Sequence, residues 1–283
     1  MEPGAKRMTT RSFISPLIGF CICISGLLAI MVVSPLLLSL QDLSALNLMD
    51  RFKAPVFLGG TWQYPLGTDA LGRDMLSLLL RGTQISIVIA LLGTIGGAIV
   101  GTTLGLVSAW IGGVLDTIVG VLVDFQATIP PLILILALIT VLPNANFTVF
   151  IAIMIFHGWD RYARLARTIA LSAKNRPYIQ AQQVMGASTI RIITRSVLPN
   201  AMAVLLVNMS INFPQTILME TTLSFLGVGI QPPDVSLGLL MGVGRDQLFN
   251  APWVALVPGF IILVTTICMS VIGDWARDQI EAD

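Results

Sequence analysis

The sequence predicts an all-α, polytopic membrane protein with about six transmembrane helices, and three observations carry that expectation. Apolar residues make up 55% of the 283 positions and charged residues 11%, against about 25% charged in an ordinary soluble domain; the mean hydropathy is +0.87. Six apolar runs approach or exceed the ~20 helical residues that a bilayer core requires. Between the fourth and fifth runs lies a polar island, 161–199, with Arg161, Arg164, Arg167, Lys174, Arg176, Arg191 and Arg195 and no acid from Arg161 to Arg195. Seven cations at about 2.5–3.5 kcal/mol each would oppose insertion by ~17–25 kcal/mol, so the island stays in water.

The apolar runs are 16–38, 85–110, 118–142, 147–159 extended toward 165, 201–219 and 256–272. Lys6, Arg7 and Arg11 precede a run, 13–40, that is too long for the 7–15-residue core of a cleavable signal. It reads as an uncleaved first span. With the N-terminus inside, eleven Lys and Arg fall in cytoplasmic segments and five (Arg51, Lys53, Arg73, Arg81 and Arg245) outside. That bias puts the island and both termini in the cytoplasm. The expected organisation is therefore 1–40 as cytoplasmic N-terminus and first span, 41–81 as an outer segment with an interfacial helix, and 82–283 as a core. The core carries a cytoplasmic loop, 160–199, and an outer loop, 220–255.

In the outer segment, Thr68 or Asp69 can cap a helix from near Ala70, with Met75, Leu76, Leu79 and Leu80 on one face. A short helix lying on the membrane surface is expected there. The second span repeats glycine every fourth residue, Gly93, Gly97, Gly101 and Gly105, which lets another helix approach closely. That neighbour belongs either to the same bundle or to a second subunit. The third span is interrupted by Asp124, Gln126, Pro130 and Pro131, so a kink is expected. Asp124 is a candidate for the transport pathway, as an intramembrane carboxylate; Glu220, at the outer end of the fifth span, is another. The lone His157 suits an interfacial hydrogen bond better than a metal site. Cys21, Cys23 and Cys268 lie in apolar runs and support neither a disulfide framework nor a metal centre.

Inside the island, Pro177 suits a first helical position and Gly186 a stop. Tyr178, Ala181, Gln182 and Met185 then share one face of a short helix, apolar enough to imply a soluble cytoplasmic partner. Ser188 caps a second helix, 189–198, and Pro199 marks entry to the fifth span. None of the three lysines follows a glycine, so the Gly-Lys pair of a phosphate-binding P-loop is absent. No nucleophile elbow, zincin or Cys-x-x-Cys pattern occurs either, and catalysis by this chain is not expected.

The run from Tyr178 through Gln180, Ala181, Gln182, Met185, Gly186, Ala187 and Ser188, followed by Leu198-Pro199, resembles the loop with which ABC importer permeases dock in a cleft of their ATPase. Most of the chain is similar to the dipeptide and oligopeptide "C" permeases of the peptide/nickel branch. It has Leu66-Gly67-Thr68-Asp69 and Gly72-Arg73-Asp74, Tyr162-Ala163-Arg164, Leu223-Ser224-Phe225-Leu226-Gly227, Pro232-Pro233, Gly244-Arg245-Asp246, Ala251-Pro252-Trp253 and Gly273-Asp274 in order. It departs from the pattern at Gln180, usually Glu, Gln182, usually Ala, Leu237, usually Trp, and Ala276, usually Leu.

The resemblance implies a type I importer permease in a bacterial inner membrane. It would form the pathway with a second homologous permease, couple to one or two cytoplasmic ATPases that bind ATP and Mg, and receive substrate from an extracytoplasmic solute-binding protein. No cofactor bound by this chain and no nucleic acid are expected. By the same resemblance, Gly67, Thr68, Asp69, Gly72, Arg73, Asp74, Pro232 and Pro233 belong to the outer signature and gate. Di- or oligopeptides are the implied substrate, with nickel or a metal chelate carried by relatives. The competing expectation is a secondary carrier driven by an ion gradient through Asp124.

Overall fold

The computed structural model describes residues 18–27, 29–33, 47–142 and 147–282. Among these the regular structure is helical, with one isolated antiparallel bridge between Thr68 and Asp74. Lys6, Arg7, Arg11 and the ends of the first expected span lie outside the described residues. The chain divides into two compact units, Met1–Val88 with Ile217–Ala276, and Ile89–Thr216 with Arg277–Asp283.

In the first unit, α1 (Ile18–Val33) covers the described part of the first apolar run. The segment 47–74 then leads into α2 (Met75–Ile111). Asp74 starts this helix: its Oδ2 accepts the Ser77 amide at 2.9 Å and the Ser77 hydroxyl at 2.7 Å. The expected surface helix from near Ala70 is therefore corrected: 70–74 form the turn before α2, and Met75, Leu76, Leu79 and Leu80 lie in the first turns of that one unbroken helix. Met75, Leu78 and Leu79 are fully buried against Leu237, Leu240, Trp253 and Val254. A protein core, rather than a lipid surface, receives that apolar face. The core's other walls are α9 (Leu237–Gly244), capped by Ser236 accepting from the Leu239 amide, and the start of α10 (Trp253–Ala282).

In the second unit, Gly112 and Gly113, both at positive φ, turn α2 directly into α3 (Gly113–Thr128). Ile129 is extended because it precedes proline, and α4 (Pro131–Val141) begins at Pro131, bent by 104° from α3. The expected third span is thus a broken one. Next, α5 (Phe147–Lys174) runs through the expected membrane exit at Trp159 and far into the island. It seats in the glycine seam of α2. A Cβ on Gly93 would lie 2.7 Å from the Met154 Cβ, one on Gly101 would collide with the Trp159 carbonyl, and one on Gly105 with that of Ala163. The seam is a packing surface inside this bundle.

Beyond α5, α6 (Pro177–Val184) and α7 (Thr189–Ile192) follow. A single π-helical turn, Ile193–Val197, joins α7 to α8 (Leu198–Phe225). The sequence places the end of a short helix at 198 and entry to the fifth span at Pro199. Instead the wide turn just ahead of it accommodates a residue with no amide hydrogen and relieves its clash with the preceding turn.

Thr189–Phe225, Met75–Ile111 and Trp253–Gln279 are each long and apolar enough to cross a membrane, and the bent α3–α4 pair brings the number to four if it is one span. The other two expected spans fall short of that measure among the described residues: α1 is shorter, and α5 carries charge from Asp160 onward.

Candidate functional site

The island folds into a platform. Lys174, in the last turn of α5, donates to the Ala109 and Trp110 carbonyls at 2.8 and 2.7 Å, satisfying the C-terminal end of α2 with a cation. Arg167 grips Asp116 through Nε and Nη2, which donate to Oδ1 and Oδ2 at 2.7 and 2.8 Å, and ties α5 to the first turn of α3. Ile179 of α6 and Ile192 of α7 are buried in the same cluster as Leu106, Trp110, Ala166, Ala170 and Val197. Each buried isoleucine contributes about 1.5–3 kcal/mol relative to exposure, so the two short helices are held from beneath.

The upper face carries Tyr178, 44% exposed, Val184, 89%, Met185, 77%, and Ile190, 75%. Gln180 and Ala181 are exposed beside them. Gln182 is not on this face as expected: it is half-buried, and its Oε1 accepts from the Ser196 hydroxyl at 3.0 Å. The sharp end of α6 has a local cause. Gly186, at φ +79°, lets its own amide reach the Gln183 carbonyl and the Ala187 amide reach that of Gln182, both at 3.0 Å. Ala187 packs half-buried against the cluster below, and the Ser188 hydroxyl caps α7 by accepting from the Arg191 amide at 3.4 Å. Sequence reasoning missed Ile179, Ile192, Val184 and Ile190. Once Ile179 is taken as the inward anchor, helical spacing places Val184 away from the core.

The outer signature builds a self-bonded turn. The Thr68 hydroxyl, fully buried, accepts from the Lys53 amide at 2.8 Å and donates to the Asp50 carbonyl at 2.5 Å. Asp69 Oδ1 accepts the Leu71 and Arg73 amides, both at 2.9 Å, while its Oδ2 pairs with the Arg73 guanidinium at 2.8–2.9 Å. Gly67, at φ +79°, has no room for a side chain: a Cβ would sit 2.6 Å from the Lys53 carbonyl oxygen and 2.9 Å from the Trp253 indole nitrogen. Gly72 is likewise closed against the Asn47 carbonyl. Trp253 donates to the Thr68 carbonyl at 3.2 Å and pins the turn to α10. Asp50 accepts from Lys53 at 2.5 Å and from the Tyr64 hydroxyl at 2.8 Å. Pro232 and Pro233 are exposed, and the neighbouring Asp234 lies 3.8 Å from Arg81.

The two pathway candidates differ sharply. Asp124 is 79% exposed and pairs with Arg164 at 3.3 Å. Glu220 is fully buried. Hydroxyls surround it: Ser224 donates to it at 2.8 Å, the Thr221 hydroxyl, which donates to the Ile217 carbonyl at 2.7 Å, lies 3.4 Å away, and Ser86 and Ser236 stand beside it. The oxygens of Ser86, Ser236 and Ser224 in turn accept the amides of Leu237, Leu239 and Ile230. These serines tie the start of α9 to α2 and the turn before it to α8, beside one buried carboxylate.

Residues 101–282 match the family described as binding-protein-dependent transport system inner membrane component. The dipeptide transport system permease protein DppC of Haemophilus influenzae is 37% identical over 225 residues, covering 79% of this chain and 75% of that protein. The oligopeptide transport system permease protein OppC of Mycobacterium bovis is 37% identical over 218 residues, covering 76% and 75%. A solved structure of the MetNI methionine ABC transporter in inward-facing conformations shares the fold, with a TM-score of 0.56 at 20% identity over 72% of this chain and 97% of that one.

Proposed function

The chain belongs to the family of binding-protein-dependent inner-membrane transport components, and from that premise we propose that it is the permease subunit of an ATP-driven importer of di- or oligopeptides. The family is one of transport subunits rather than catalysts. Peptides are the substrate because both relatives are dipeptide or oligopeptide permeases by name. A second permease completes the pathway, a solute-binding protein delivers the peptide outside, and cytoplasmic ATPase subunits hold ATP and Mg. Both termini are cytoplasmic.

The observation that carries the coupling role is the platform of α6 and α7, apolar on its exposed face and anchored underneath by Ile179 and Ile192. Val184, Met185 and Tyr178 would enter an ATPase cleft, with neutral Gln180 and Ala181 beside them. Contact there is then mainly apolar, since no acid lies on α6. Gly186, Ala187 and Ser188 set the angle between α6 and α7. Because α7 continues through the π turn into α8, movement of the platform passes directly into a span. The outer turn of Gly67, Thr68, Asp69, Gly72, Arg73 and Asp74, with Pro232 and Pro233, presents a fixed surface to the binding protein.

The test uses the complete complex in proteoliposomes, loaded with a labelled dipeptide. We expect uptake to require ATP, and the double substitution Val184→Asp with Met185→Asp to abolish both ATPase co-purification and uptake. Uptake that persists without ATP and collapses with an uncoupler would overturn the assignment.

A further inference from the structure

The break between α3 and α4 opens on a cavity of about 280 Å³ in the second unit, lined by Ile129 and Pro131 at the bend and by Gln126, His157, Asp160 and Arg161. Non-helical backbone at membrane depth is tolerated where it is buried in protein or lines a wet cavity, and this volume lies just below the range of drug-sized ligand pockets, roughly 300–1,000 Å³. The wall is rigidly built. Gln126 accepts from the Trp159 indole at 2.7 Å and donates to the Phe156 carbonyl at 2.8 Å and to Asp160 Oδ1 at 3.2 Å.

Three arginines follow one another along α5, and their partners differ. Arg164 pairs with Asp124 and Arg167 with Asp116. Arg161 is held only by neutral oxygens, Asn212 Oδ1 at 2.7 Å and Gln215 Oε1; among the described residues no carboxylate pairs with it. The two amides orient its guanidinium without neutralising it.

We propose that this cavity is a transit site for the peptide's C-terminus, with the terminal carboxylate on Arg161 and the adjoining amide N–H donated to Asp160. The inference rests on the peptide-importer reading. A guanidinium fits a carboxylate better than any other side chain does. Carboxylate and last amide are the parts every peptide shares, so a site reading only these accepts any side chain.

The experiment compares ATP-dependent uptake of a labelled dipeptide and of the same dipeptide as its C-terminal amide, by the complete complex at saturating loaded binding protein. We expect the wild type to prefer the free acid at least tenfold. Arg161→Gln brings the ratio within twofold, and Arg161→Lys restores part of it. Asn212→Asp, which sets a carboxylate on Arg161 and leaves the guanidinium in place, also brings it within twofold, and decides the matter alone if Arg161→Gln fails to assemble. Absence of preference in the wild type, or a tenfold preference surviving in either neutralising variant, overturns the proposal. Uptake of the free acid by the wild type, whatever the ratio, separately tests the importer reading.

Discussion

Glu220 and Asp50 are both carboxylates in the first unit, and their surroundings give them different consequences. Around Glu220 the oxygens of Ser224, Ser86 and Ser236 accept backbone amides, leaving hydroxyl hydrogens as the donors on that side, and that of Ser224 goes to the carboxylate. Glu220→Gln presents an amide donor to these donors, and we expect a loss of about 1–3 kcal/mol, read as a lower melting temperature in detergent and faster amide exchange over α9. Around Asp50, the bonded Lys53 ammonium and then the Tyr64 hydroxyl hold the carboxyl below its ordinary range. A depressed folded-state pKa gives stability that is present at neutral pH and lost as the pH falls through the lowered value, below about 4. Amide exchange at Lys53 and Thr68, corrected for intrinsic rate, should therefore rise on acidification below that point, and an Asp50→Asn variant should lack the rise.

Among the elements, α6 divides its apolar residues between two tasks. Ile179 is buried and Val184 is exposed, five residues apart on a helix of eight. Ile179→Ala should cost about 2–5 kcal/mol and loosen the platform, while Val184→Asp alone should leave thermal stability within about 0.5 kcal/mol of wild type and still weaken ATPase binding. Melting curves beside co-purification separate the two effects. The island's cations show a similar division. Arg164, Arg167 and Lys174 are engaged within the unit, whereas Arg176, Arg191 and Arg195 are exposed on the platform. Charge counting treats all seven alike, because it records where a cation cannot go and not what it touches.

For the molecule as a whole, the Lys and Arg bias predicts a platform in the cytoplasm and the segment 245–252 outside. In a variant lacking Cys21, Cys23 and Cys268, a single cysteine introduced by Val184→Cys should react with a membrane-impermeant reagent only from the cytoplasmic face. One introduced by Phe249→Cys should react only from the outer face, both parent side chains being strongly exposed. The reverse pattern would invert the topology. Much of the architecture was legible beforehand: the helical class, the island, the start of α6 at Pro177, its stop at Gly186 and the kink near Pro130 all follow from local sequence. The boundaries were less so. Nothing in 70–84 distinguishes a helix on a lipid surface from the first turns of a buried one, since both need the same apolar face, and the difference lies in Leu237 and Trp253 far along the chain.

The sequence by itself determined that this chain is a helical membrane protein with a water-exposed cationic loop, because the cost of burying charge and the length needed to cross a bilayer are set by composition along the chain. It also determined the family, through motifs in a fixed order. Only the tertiary structure decided which glycine face meets α5, that Gln182 turns inward, that Glu220 is enclosed and that Arg161, unlike Arg164 and Arg167, pairs with no carboxylate among the described residues. Each of those depends on partners 14 to more than 130 positions away, and local spacing does not encode which of two polar groups at such a distance will meet.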